Sequence, residues 1–187
     1  MKVIQLHKSE KKLIKQACAN NRNAQRELYE KYAPKMGSVC RYYVKDVHEA
    51  EDIMMMGFFK AFKSLKTYSS ANNFEGWLRK IMVNECISFF RKKKQVAISD
   101  TFDAVIDTTK DTITHQYNTE EIQMLINQLP NGYKMVFILF AVEGYLHKEI
   151  SEKLKISIST SKSQLFKARK MLQQKIVSLN TNNNGTQ

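Results

Sequence analysis

Apolar positions recur at intervals of three and four along nearly the whole chain, the period of helices with one buried face. Leu13, Ala17 and Asn20 mark a first short helix, and Asn23 is placed to cap a second that runs through Leu28 and Tyr32. Pro34 suits the first turn of a third helix, with Met36, Val39, Cys40 and Tyr43 on one face. The next pattern is the clearest. Ala50, Ile53, Met54, Gly57, Phe58 and Ala61 form one stripe, extended by Leu65, and Met55, Phe59 and Phe62 form a second beside it. A surface helix needs one such face, so two imply either burial on both sides or a docking surface.

A polar loop over residues 67–73 separates this helix from another over 74–94. There Phe74, Leu78, Ile81, Met82 and Phe89 are assigned to the core, while Lys80, Asn84, Ser88 and Arg91 line the opposite face. The helix ends in Arg91, Lys92, Lys93 and Lys94, a run that favours phosphate binding over simple dipole compensation.

The C-terminal pattern is shorter. Ile122, Leu125, Ile126 and Leu129 repeat at helical spacing before Pro130 and Gly132 break the helix. Residues 136–142 give another helix stopped near Gly144, Ile150 and Leu154 a short third, and residues 156–159 a turn. Leu165, Ala168 and Leu172 carry the last helix, ahead of a polar, Asn-rich tail.

Charge divides the chain further. The 187 residues carry a net charge of +12, which points to a polyanionic partner. Residues 1–94 hold 20 Lys and Arg against nine acids, a net of +11; residues 122–187 hold nine against three, a net of +6. Between them, residues 95–121 hold one Lys and six acids, a net of −5, with weak periodicity and many Thr and Asp. This segment reads as a linker, either a plain spacer or a functional strand. The fold class is therefore all-α: two small helical domains over 9–94 and 120–179, an acidic linker over 95–119 and a disordered tail over 180–187.

Three cysteines far apart (Cys18, Cys40, Cys86) make a disulfide framework or zinc ribbon unexpected. The apolar run over residues 136–142 is too short to span a bilayer, and no secretory start is seen. A cytoplasmic protein is the expectation. His48, Glu49, Glu51 and Asp52 look ligand-rich, but no second His lies at helical spacing, and the acids suit the first turn of a helix. No phosphate loop or nucleophile elbow occurs, so no catalytic set, metal or cofactor is expected.

Two short helices joined by a tight turn, the second rich in cations, make a helix-turn-helix. In the second, Ser159, Lys162, Ser163, Phe166, Lys167 and Lys170 face away from the core stripe. Hydroxyls and Lys suit base edges or phosphates, and Phe suits a thymine methyl.

Two blocks of residues then resemble a known family. Leu28, Tyr29, Tyr32, the run Ala50-Glu51-Asp52-Ile53, Phe58, Ala61, Phe62, the run Phe74-Glu75-Gly76-Trp77-Leu78, Ile81, Asn84 and Arg91 resemble region 2 of bacterial RNA polymerase sigma factors of the extracytoplasmic-function (ECF) type. Leu129-Pro130, Phe137, Glu143-Gly144-Tyr145, Glu149-Ile150, Leu154, Ser157, Thr160, Lys162-Ser163, Leu165 and Ala168-Arg169 resemble region 4. The resemblance implies a factor that binds core RNA polymerase and directs promoter-specific initiation, with the polymerase doing the chemistry.

Residue by residue, it implies polymerase docking through Asp52, Met55, Met56 and Phe59. It implies capture of single-stranded −10 DNA by Tyr68, Asn72, Asn73, Phe74, Trp77, Lys80, Asn84, Ser88, Arg91 and Lys92. Reading of the −35 duplex falls to Ser159, Thr160, Lys162, Ser163, Phe166, Lys167, Arg169 and Lys170. An anti-sigma factor is the implied second partner, and no small-molecule substrate is. In the family the linker threads toward the RNA path, where an acidic chain fits.

Three departures from the family pattern stand out. Met55 and Met56 replace a frequent polar pair, Lys155 replaces a frequent Gly before the turn, and Ser88 replaces a frequent Asp. The alternative function is a stand-alone helix-turn-helix regulator that binds duplex DNA without polymerase.

Overall fold

The structure, a computed structural model, describes residues 10–69, 73–96 and 119–183. It divides into two compact units, Met1–Lys93 and Lys94–Gln187, and each folds around its own core. All the regular structure among the described residues is helical.

The first unit holds four helices: α1 (Glu10–Cys18), α2 (Arg22–Tyr43), α3 (Val47–Ser64) and α4 (Phe74–Val96). α1 stops short of Asn20, which takes φ 61° at the turn, a conformation Asn tolerates better than most residues. The cap of α2 is Asn21, not Asn23: its side chain accepts from the Ala24 N–H at 3.0 Å. Nor does the chain break at Pro34. α2 is one helix because Leu28, Tyr32, Met36, Cys40 and Tyr43 form an unbroken buried stripe on both sides of the proline. Burying that stripe, at about 1.5–3 kcal/mol for each large apolar side chain, offsets the hydrogen bond that Pro34 cannot donate.

Asp46 caps α3 by accepting from the Glu49 N–H at 2.9 Å. The first apolar stripe of α3 is buried throughout, from Ala50 to Ala61, and Leu65 follows in a single 3-10 turn over Leu65–Thr67. α2 packs on both α1 and α3. α4 buries a wider arc than its sequence suggests. Val83, Cys86 and Ile87 join Phe74, Leu78 and Met82 in the core, while Ile81 and Phe89 are only half-buried. The Cys40 and Cys86 thiols meet between α2 and α4, and that contact together with burial pushes the Cys86 thiol up, so it stays protonated at neutral pH.

Ion pairs fasten the helices together: Lys35 to Glu75 at 2.6 Å, Lys60 to Glu85 at 2.7 Å and Lys93 to Glu49 at 2.9 Å. Glu10 joins α1 to α2 through Lys31 and the Tyr32 hydroxyl. Those two hydrogen bonds, Lys31 first, hold the Glu10 carboxyl below the usual carboxylate range. A lowered folded-state value means the tie is complete above the ordinary carboxylate pKa and is lost as pH falls through the folded one. The pair is largely exposed, so Glu10→Gln is expected to cost no more than about 1 kcal/mol. Urea melts at neutral and acid pH check this, and the difference between variant and wild type should shrink on acidification.

The second unit holds α5 (Thr119–Asn127), α6 (Asn131–Ala141), α7 (His147–Leu154) and α8 (Ile158–Asn183). Its core joins Leu125, Ile126 and Leu129 to Met135, Val136, Ile138 and Leu139 of α6, Ile150 and Leu154 of α7, and Leu165, Ala168 and Leu172 of α8. Gly132 lies inside the first turn of α6, because Pro130 ends α5 and begins α6. Ser157 begins α8 by accepting from the Thr160 N–H at 2.9 Å, so the turn before it covers only residues 155–157. α8 then runs past Leu179 to Asn183, into the stretch where a disordered tail is expected from sequence. Of the acidic linker, residues 97–118 lie outside the described residues. Among the described residues no helix is long and apolar enough to cross a membrane.

Candidate nucleic-acid interface

In the first unit, the two stripes of α3 part company. Phe58 is buried and meets the Tyr29 ring at 4.8 Å, whereas Met55, Met56 and Phe59 stand 55%, 51% and 55% exposed. The second stripe is therefore an outward apolar face and not a second core contact. Asp52 is exposed at its edge, and Phe62 is half-buried. The Tyr29 hydroxyl donates to the Met55 Sδ at 3.5 Å, and the Lys63 ammonium lies 4.9 Å from the Phe59 ring centre.

Four aromatic rings gather where the 3-10 turn leads to α4. Phe74 contacts Tyr32 at 5.3 Å, Tyr68 at 5.4 Å and Trp77 at 5.6 Å, and Tyr68 meets Trp77 at 5.3 Å. Only 2% of Phe74 is exposed, so it cannot present its ring to a base. It supports Tyr68 and Trp77, which are half-buried and form the surface above it. Asn73 caps α4: its side chain accepts from the Glu75 N–H at 3.1 Å, and its carbonyl accepts from the Trp77 N–H at 3.0 Å. Asn72 lies outside the described residues.

From Trp77 a strip continues along α4 at helical spacing through Lys80, Asn84, Ser88 and Arg91. Lys80 and Arg91 are exposed; Asn84 and Ser88 are half-buried, because the core arc of α4 reaches Val83 and Ile87 beside them. The cationic run at the helix end is divided. Lys93 pairs with Glu49 and lies over the Phe89 ring at 5.4 Å, which leaves Arg91 and Lys92 as the outward cations of the run among the described side chains.

The second unit presents α7 and α8 as a helix-turn-helix. Lys155, at the turn, adopts φ 54° and ψ 50°. That left-handed conformation costs a side-chain-bearing residue about 1 kcal/mol relative to Gly. Lys155→Gly is expected to raise stability by up to about 1 kcal/mol in a thermal melt, partly offset by the freer unfolded chain.

Ser159, Lys162, Ser163, Phe166 and Lys170 fall within one strip of α8. Phe166 is 60% exposed at its centre, with Lys170 half-buried at its end. Lys167 and Arg169 lie on the two shoulders of the strip. Arg169 places its guanidinium 5.5 Å from the Phe140 ring centre, and Lys167 is half-buried. Thr160 faces the cap, with its hydroxyl 2.8 Å from the Ser157 hydroxyl. The sequence-based set thus separates into a central strip and flanking groups.

One polar pair escapes a reading by stripes. Ser161 is fully buried, and its hydroxyl lies 2.9 Å from His147 Nδ1. The His147 ring stacks on Phe140 at 4.8 Å, which is also the ring beneath Arg169. This chain starts and ends on α8 and fixes it against α6 and α7. The signal in the sequence is a serine on the core stripe, four residues before Leu165. His147→Ala strands the buried hydroxyl and is expected to cost about 1–3 kcal/mol in urea unfolding.

Comparison with known proteins assigns each unit to a known region of one family. The first unit matches the family model described as Sigma-70 region 2 over residues 28–96, and the second matches Sigma-70, region 4 over residues 119–172. The ECF RNA polymerase sigma factor SigM of Bacillus subtilis is 30% identical over 152 residues, 78% of this chain and 91% of SigM. The chain belongs to the ECF RNA polymerase sigma factors. SigW of the same organism, another ECF sigma factor, is 28% identical over 181 residues, covering 89% of this chain and 96% of SigW. Among solved structures, the sigma factor RpoE in complex with the anti-sigma factor NepR from Bartonella quintana is 20% identical, covers 82% of this chain and 96% of RpoE, and has a TM-score of 0.48. Within this sigma factor, α2 to α4 carry region 2, and α5 to α8 carry region 4.

Proposed function

We propose that this chain is an alternative sigma factor that binds core RNA polymerase, reads a −35 duplex and captures melted −10 DNA. The observation that carries the reading is the order of two matched regions, each with its own outward polar strip. A stand-alone regulator needs the strip on α8 but has no use for the one on α4.

The roles follow from chemistry and placement. Asp52, Met55, Met56 and Phe59 dock on the polymerase, an apolar face edged by charge. Tyr68 and Trp77 offer rings on which an unstacked base can lie, and Phe74 holds them in place. Asn73, as the cap of α4, sets where that helix begins, and Asn72 belongs to the same capture loop. Lys80, Asn84, Ser88, Arg91 and Lys92 track the adjoining strand. On α8, Ser159, Lys162, Ser163, Phe166 and Lys170 enter the major groove, while Thr160, Lys167 and Arg169 flank them and set register through phosphates.

The polymerase does the chemistry, so the chain itself is not an enzyme and needs no cofactor or small-molecule substrate. Such a factor works in the cytoplasm, where polymerase and DNA are. An anti-sigma protein is a second partner, able to cover the apolar face of α3 in the free factor. The acidic linker suits a channel built for RNA, whose charge it imitates.

A gel shift separates this reading from the stand-alone regulator. Promoter DNA should shift only when core polymerase is present; a specific shift by the chain alone, at a palindrome, would favour the regulator.

A further inference from the structure

Met54, Met55 and Met56 are consecutive, yet only the last two face solvent. Met54 is 8% exposed, against 55% and 51% for its neighbours. Met36, Met82 and Met135 are also buried, at 1%, 0% and 4%. Among the described residues of the first unit, the thioethers open to water are thus those at the centre of the apolar face of α3; in the second unit Met124 is 58% exposed. Met55 is further distinguished because the Tyr29 hydroxyl donates to its sulfur at 3.5 Å.

We propose that Met55 and Met56 form a reversible peroxide-sensitive modification site that weakens docking of α3 when oxidised. The proposal rests on the reading of that face as the polymerase-binding surface. A sulfur lone pair attacks one oxygen of hydrogen peroxide, the O–O bond breaks, and an S–O bond forms. The other oxygen leaves as hydroxide and takes the proton from the oxygen now on sulfur, giving water and the sulfoxide. The sulfur loses two electrons and the peroxide gains them.

The sulfoxide is polar and chiral where the thioether was apolar. Its oxygen accepts strong hydrogen bonds and resists transfer into a dry interface. The Tyr29 hydroxyl, already donating to the Met55 sulfur, is placed to donate to the new oxygen instead. That bond favours the oxidised form of the free chain and opposes its burial against a partner. Methionine sulfoxide reductases restore the thioether, releasing the oxygen as water at the expense of a dithiol that becomes a disulfide.

The test uses the full chain and core RNA polymerase. Protein is treated with hydrogen peroxide, the oxidised residues are located by peptide mass spectrometry, and affinity for core polymerase is read by fluorescence anisotropy. Sulfoxides should appear at Met55 and Met56 and not at Met54, with docking about tenfold weaker, a change of about 1.4 kcal/mol. Treatment with both classes of sulfoxide reductase and dithiothreitol should restore it.

The double variant Met55→Leu, Met56→Leu, whatever its starting affinity, should show the same affinity before and after peroxide. The proposal is overturned if oxidised wild type docks as well as untreated protein. It is also overturned if the double variant loses the same factor, which would trace the loss to another residue such as the exposed Met124 or the half-buried Cys18. Failure of untreated protein to bind core polymerase at all would overturn the docking reading, and the modification proposal with it.

Discussion

Phe74→Ala is expected to destabilise the first unit by about 3–5 kcal/mol, the range for removing a fully buried aromatic ring. The ring is 2% exposed and touches Tyr32, Tyr68 and Trp77, so its loss leaves a cavity under all three. Binding of single-stranded −10 DNA should fall with stability, because Tyr68 and Trp77 lose the floor that holds them. Trp77→Ala supplies the contrast. Trp77 is half-buried, so its removal should cost less stability while also weakening −10 capture, by about 1–3 kcal/mol for a lost stacking platform. Urea denaturation and anisotropy with a −10 oligonucleotide on the holoenzyme measure the two effects. Equal stability of Phe74→Ala and wild type would show that the ring is not a core element.

Phe59→Glu should do the opposite, leaving the fold intact and removing the partner. The ring is 55% exposed, and a Glu there lies one turn before Lys63, the residue whose ammonium now covers the ring. Such an i, i+4 pair adds a few tenths of a kcal/mol to the helix, so the melt should move little. Docking on core polymerase should weaken by at least about 2 kcal/mol, the threshold for an aromatic hot spot, with a carboxylate now to be desolvated. Anisotropy with labelled core polymerase reads the loss. Unchanged affinity would remove the outward face of α3 from the interface.

The contrast between these two phenylalanines shows how far a sequence carries. The buried stripe of α3 was legible to the residue, from Ala50 to Ala61, because a helix packed on one side leaves a clean period. The second stripe was visible too, but periodicity cannot tell a second core from an uncovered face, and only exposure decided it. On α4 the same method misassigned positions. That helix is enclosed over most of its circumference, so Val83, Cys86 and Ile87 are core although they lie off the predicted stripe.

Local signals misled where tertiary burial overrode them. Pro34 reads as a helix start, yet the stripe from Leu28 to Tyr43 carries α2 through it. Phe74 and Asn73 are expected at −10 DNA from the family resemblance; the structure adds that Phe74 is a buried floor and that Asn73 caps α4. On α8 the outward set was legible as a group. Its division into the strip around Phe166 and the shoulders at Lys167 and Arg169 needed the positions of Phe140 and the cap. Lys155 illustrates the reverse: the departure from Gly before the turn is visible in sequence, and the left-handed backbone gives it a cost.

The claim that unites these parts is that two separately folded units act together only on polymerase. Run-off transcription from native promoter templates, with purified chain added to core RNA polymerase, tests it most directly. Transcripts should start at a defined distance from paired −35 and −10 elements, and neither component alone should produce them. A chain that binds core polymerase but yields no specific transcript from any promoter would contradict the account.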